Sequence, residues 1–141
     1  MGCDIHLLVE RQVDEKWITV RLFQGFHCRF SQNKYASPVA LARNYVRFAA
    51  LAGVRGDGPE PRGIPDDLSE TAKLLVDEYG DDGHSHSWLP IEEATEIFLK
   101  TEWEADKRLS DLDKKYPLYH YFGLETEIDK GPHRLIFWFD N

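Results

Sequence analysis

Residues 4–10 alternate. Ile5, Leu7 and Val9 share one parity, and Asp4, His6, Leu8 and Glu10 share the other. That is the period of a strand with one face in the core. The plain expectation for Asp4 and His6 is the solvent face of that strand. Asp14-Glu15 reads as a polar turn, and residues 17–22 are rich in β-formers, so they predict the partner strand of a hairpin. Residues 23–37 have no period; Phe23, Phe26, Phe30 and Tyr35 suggest a loop packed onto the core through its rings.

Helical spacing follows. Ser37-Pro38 is a helix start, with Ser as cap and Pro at the first helical position. Val39, Ala42, Tyr45, Val46, Ala49 and Ala50 carry the apolar period towards Gly53, and Asn44 and Tyr45 read as packing residues in mid-helix. Residues 53–66 hold Gly53, Gly56, Gly58, Gly63, Pro59, Pro61 and Pro65, a long loop of the kind that carries function. Asp66 or Asp67 is expected to cap a second helix with a buried stripe of Leu68, Ala72, Leu75, Val76 and Tyr79, stopped by Gly80. A polar loop, residues 81–89, leads to Pro90 and a third helix, with Glu92 and Glu93 in its first turn and Ile91, Ala94 and Phe98 inward. Residues 101–115 are highly charged, anchored by Trp103, Leu109 and Leu112, so the helix is expected to project or fray there until Pro117 ends it. Tyr116, Tyr119, Tyr121 and Phe122 form an aromatic group.

After turn chemistry at residues 129–132, residues 134–139 form a continuous apolar β-former run. A strand apolar on both faces belongs inside a sheet, beside one of the N-terminal strands. The pattern predicts one α+β domain, residues 1–141: a small, mostly antiparallel sheet, made of the N-terminal hairpin and the C-terminal strand, with about three inserted helices.

Composition narrows the function classes. Hydrophobic residues make up 42% and aromatics 13% of 141 residues, enough for a real core. A net charge of −8 argues against a generic binder of duplex nucleic acid. No apolar run reaches the roughly 18 residues of a membrane span, no signal peptide is expected, and His6 breaks the myristoylation pattern begun by Met1-Gly2. Cys3 and Cys28 lack CxxC spacing, so reduced thiols and a cytoplasmic setting are expected.

Met1-Gly2-Cys3-Asp4-Ile5-His6 opens a series of blocks spread over nearly the whole chain. The series includes Arg43-Asn44-Tyr45, Leu51-Ala52-Gly53-Val54-Arg55, Pro61-Arg62-Gly63-Ile64-Pro65, His84-Ser85-His86-Ser87-Trp88-Leu89 and Phe139-Asp140-Asn141. In these blocks the chain resembles a family of small uncharacterised proteins of bacteriophages and bacteria. The resemblance implies a phage or phage-derived setting, in the host cytoplasm if phage-encoded, and no known activity.

Two constellations carry candidate chemistry. His84 and His86 are two apart, and Asp4 and His6 share a strand parity. Together they make a ligand set for zinc, or for manganese or iron with more oxygen donors, Asp82 and Asp140 being spare. The plainer alternative is a helix cap, with Ser85 or Ser87 accepting amide hydrogens. Arg43, Arg55 and Arg62, two of them on the Gly-rich loop, suit bidentate grip on phosphate, with Ser85 and Trp88 nearby in the ligand-binding set. Their plainer alternative is surface pairing with the abundant acids. No nucleophilic arrangement stands out: Ser85 lies between two His without the context of a nucleophile elbow.

Three functions follow. The first is binding of a phosphorylated small molecule or nucleotide, as in counter-defence. The second is metal-dependent hydrolysis of a phosphate ester by the Asp/His cluster. The third is engagement of a host protein.

Overall fold

The structure, a computed structural model, describes residues 2–23, 41, 43–102, 109, 111 and 113–141. Its centre is a four-stranded antiparallel sheet in the order β2-β1-β4-β3. The strands are β1 (Asp4–Val13), β2 (Lys16–Phe23), β3 (His84–Pro90) and β4 (His133–Asp140). Helices among the described residues include α1 (Tyr45–Ala52), α2 (Glu70–Tyr79), α3 (Ile91–Lys100) and the short α4 (Pro117–Tyr121). This is the expected α+β fold.

The hairpin turns through Asp14 and Glu15, both at positive φ (49° and 67°), the signature of a type I′ turn whose twist matches that of the strands. β4 fills the middle of the sheet, between β1 and β3, as its two-sided apolar run requires. One face of the sheet carries Cys3, Ile5, Leu7, Val9, Leu135, Phe137 and Phe139, which join Phe48 and Leu51 of α1 and Ala94 and Phe98 of α3 in the main core. The other face carries Leu8, Leu22, Ile136 and Trp138, covered by Ala72 and Leu75 of α2.

That second layer overturns the expectation of a solvent face. His6 is 3% and Glu10 0% exposed, because α2 lies over their side of β1. The stripe read for α2 is the one buried or partly buried there, Leu68, Ala72, Leu75, Val76 and Tyr79. Its cap is Ser69, whose side chain accepts from the Ala72 amide, rather than Asp66 or Asp67.

Other elements also differ from expectation. The segment read as a polar loop, 81–89, is largely strand β3, sheltered because loop residues run along it: the Gly63 amide donates to the His86 carbonyl at 2.9 Å. α1 begins at Tyr45, and Asn44 is its N-cap, accepting from the Arg47 amide at 3.0 Å. The helix therefore buries Phe48, Leu51 and Ala52 and leaves Val46 exposed. The predicted start at Ser37-Pro38 and the rings of Phe26, Phe30 and Tyr35 lie outside the described residues, as do Cys28, Val39, Ala42, Trp103 and Leu112. α3 ends at Lys100, with Thr101 as its C-cap. Pro117 opens a helix instead of ending one, standing at its first turn, where its missing N–H costs nothing.

Candidate functional site

The start of β1, the end of β4 and the start of β3 meet at one end of the sheet, which follows from the register Asp4↔Asp140 and His84↔Phe139. This brings Asp4, His6, His84, Ser85, His86 and Asp140 into one region. The loop after α1 adds Arg55, and Arg43 reaches in ahead of α1.

Asp4 is tied to Arg43 by a two-pronged contact, Nε to Oδ1 at 2.6 Å and Nη2 to Oδ2 at 3.2 Å. The guanidinium holds the Asp4 carboxyl below its ordinary range. His6 stands between two groups: its Nδ1 is 3.1 Å from the Tyr79 hydroxyl, and its Nε2 is 3.2 Å from Asp140 Oδ2. Burial pulls the His6 pKa down, and Asp140 only partly opposes that pull.

His84 and His86 would share a face in a regular strand. They do not here. Between His84 and Ser87, β3 advances three residues while β4 advances from Phe139 only to Phe137, so one residue of β3 is left over. The bulge passes through Ser85, at φ 55°. Its result is that the His84 ring stacks on Phe139 and the His86 ring on Trp138, 6.3 and 6.1 Å between centroids. Those neighbours on β4 point to opposite faces. His6 packs on Trp138 from the β1 side at 6.0 Å, so the indole stands between His6 and His86. The His86 Nε2 is buried without a hydrogen-bond partner among the described residues, and burial lowers this imidazole's pKa.

The expected metal ligands Asp4, His6, His84 and His86 are thus not gathered into one set. Among the described residues, no group of three or more His, Cys, Asp or Glu is placed to hold an ion. Asp82 lies exposed in the turn ahead of β3.

His84 has other partners. Its Nδ1 is 3.0 Å from Ser85 Oγ and its Nε2 is 3.4 Å from Asn141 Oδ1. Ser85 also lines an open cavity of about 460 Å³ walled by Gly53, Gly56, Asp57, Gly58 and Glu60.

The arginines are held separately. Arg55 is exposed at φ 62°, with its guanidinium carbon 5.3 Å from the Tyr45 ring centroid. It also faces Cys3, whose thiol burial pushes up and Arg55 partly brings back. Arg55 and Tyr45 line a groove of about 450 Å³ with Val46, Ala49, Ala50, Gly56 and Asp57. Arg62 sits further along β3, over the Trp88 ring at 5.5 Å and paired with Glu93. Arg43 and Arg62 are each paired with an acid, Asp4 and Glu93.

Sequence reading missed Tyr79, Tyr45 and Asn141. Tyr79 was visible only as the end of an apolar stripe, and its hydroxyl meets His6 across 73 positions. Asn141 becomes a neighbour of His84 only once β4 is paired with β3. Comparison with protein-family models, with characterised proteins and with solved structures finds no match to this chain.

Proposed function

We propose that the protein binds a phosphorylated small molecule, a nucleotide or nucleotide-derived signal, in the groove between α1 and the turn that follows it. The observation carrying this reading is Arg55. A non-glycine residue in the left-handed region is uncommon and costs free energy, and this one sets a guanidinium over the Tyr45 ring at the side of an apolar floor. Ala49, Ala50 and Val46 offer that floor to a base or sugar, Tyr45 offers an aromatic face, and Arg55 offers donors to a phosphate. A volume of about 450 Å³ lies within the range of small-molecule sites. Sequestering such a signal would suit counter-defence, one use for a binding protein in the phage-derived setting that the sequence resemblance implies.

Calorimetry with a panel of linear and cyclic nucleotides tests the reading. Binding is expected to weaken as salt rises. Arg55→Gly keeps the left-handed backbone and removes the guanidinium, and it should cost roughly 1.5–3 kcal/mol of binding, the value of a charge-assisted hydrogen bond. Ligand recovered unchanged after incubation with manganese or zinc supports binding, and converted ligand supports the metal-dependent hydrolase instead. If no phosphorylated compound at millimolar concentration shifts the melting temperature, the proposal fails.

A further inference from the structure

Ser85, His84 and Asn141 form a chain beside a second cavity, which shares Gly56 and Asp57 with the Arg55 groove. Ser85 Oγ lies 3.0 Å from His84 Nδ1, and His84 Nε2 lies 3.4 Å from Asn141 Oδ1. With the imidazole proton on Nε2, Nδ1 accepts from the serine hydroxyl and Nε2 donates to the asparagine carbonyl oxygen. That is the order nucleophile, base, orienting group, and the roles depend on geometry rather than on position in the sequence. The serine also occupies a left-handed backbone position, φ 55°, at a bulge. Such a position lifts a side chain out of the regular strand, as the sharp turn beneath other nucleophilic serines does. Ser85 lines a cavity of about 460 Å³. A nucleophile, a base within hydrogen-bond reach, an orienting group and a space for a reacting group are therefore present together.

We propose that Ser85 is the nucleophile of a serine-esterase site, with His84 as its base and Asn141 as the residue that orients His84. The cavity selects the substrate class. Its side-chain charges are Asp57 and Glu60, and no Lys, Arg or His lines it among the described residues. An anionic phosphate is repelled there, so the electrophile is a carboxylic ester, neutral or carrying a positive group. In acylation, Ser85 Oγ attacks the carbonyl carbon and its proton passes to His84 Nδ1. Collapse of the tetrahedral adduct breaks the bond to the leaving alcohol, which takes that proton. Water then attacks the acyl-serine, His84 accepts its proton and returns it to Ser85 Oγ, and the carboxylic acid departs. The net change is ester plus water to acid plus alcohol. Gly56 and Gly58 line the cavity without side chains, so main chain borders that part of the space, the kind of surface from which amide donors to an oxyanion are drawn.

The test uses the full chain, a fluorophosphonate probe and a pair of nitrophenyl esters with the same reacting carbonyl, one bearing a cationic and one an anionic substituent. Mass spectrometry is expected to place one fluorophosphonate adduct on Ser85. Ser85→Gly, which suits a positive φ and should fold at least as well, is expected to abolish the adduct and the ester turnover. His84→Gln should slow acylation by about 10²–10⁴-fold, the usual contribution of a general base. Asn141→Ala should slow it less, with KM unchanged. The cationic ester should outrun the anionic one. A folded protein that takes no label, an adduct on another residue, or turnover that survives Ser85→Gly overturns the site. Equal rates for the two esters overturn the substrate assignment.

Discussion

Glu10 on β1 and Arg134 on β4 stand directly opposite one another in the sheet, and their side chains meet at 2.6 Å with both buried. The pair ties four elements together. Glu10 also accepts the Ser69 amide at 2.7 Å, holding the start of α2 to the sheet. Arg134 reaches Asp67 Oδ1 at 2.9 Å and lies 4.0 Å from the Trp17 ring centroid.

Removing one member strands a buried charge, whereas removing both does not. Glu10→Gln or Arg134→Met should each lower stability by about 3–5 kcal/mol in chemical denaturation. The double variant Glu10→Gln/Arg134→Met should recover part of that loss. A double variant as unstable as the sum of the singles would mean that the contacts to Ser69 and Asp67 matter more than the pair.

β4 is the strand on which both layers depend. Its Phe137 and Phe139 enter the main core, and Ile136 and Trp138 enter the layer under α2, all of them at most 1% exposed. Deleting residues 134–141 removes the partner of both β1 and β3. The expected outcome is an unfolded chain by circular dichroism; a native spectrum with an unchanged melting temperature would contradict the central place of this strand.

Stability should fall on mild acidification. Burial is the largest influence on His6, His86 and His133 and lowers each pKa, with Asp140 partly opposing it at His6 and Glu127 at His133. A folded-state pKa below the unfolded value of about 6.5 means that the unfolded chain binds more protons in that window. The contribution is therefore complete above about pH 6.5 and is lost as pH falls through the depressed folded values. Asp4 and Asp67, held below the carboxylate range, add a smaller loss at more acid pH, limited by their solvent exposure. Denaturation midpoints measured from pH 8 to pH 5 should decline, and His86→Phe, which keeps a ring on Trp138, should make the decline shallower. A flat profile would show that these imidazoles do not titrate with folding.

The strand period of residues 4–10, the apolar run of 134–139 and the stripe of α2 were legible because each follows from local spacing. β3 was not. His84-Ser85-His86-Ser87 is polar, and its strand character comes from pairing with β4 and from the loop main chain along its other side. The site divides the same way. Asp4, His6, His84 and His86 were found as a group and do come to one end of the sheet, but a one-residue bulge and the intervening Trp138 keep them apart. A bulge is a property of two strands in register, and a single strand's sequence does not announce it. Arg55 is legible from its Gly-rich loop, whereas its partner Tyr45 reads as a mid-helix packing residue, and only the structure shows it as the first residue of α1, next to the Asn44 cap.

The Gly-rich loop carries a last prediction, since its glycines are needed for different reasons. A Cβ at Gly58 would lie 1.8 Å from the Ala49 carbonyl oxygen of α1. That neighbour is backbone and has no side-chain torsion through which to withdraw. At Gly63 a Cβ would meet nothing within 4 Å, but φ is 83°. Gly58→Ala must therefore push the turn away from α1, with a cost of about 1–3 kcal/mol typical of overpacking. Gly63→Ala should cost about 1–2 kcal/mol from backbone strain alone. Because the displaced turn also carries Arg55, only Gly58→Ala should weaken the proposed nucleotide binding beyond its effect on stability. Thermal denaturation and calorimetry on both variants check this. Equal loss of binding in the two would place the ligand away from the 53–58 turn.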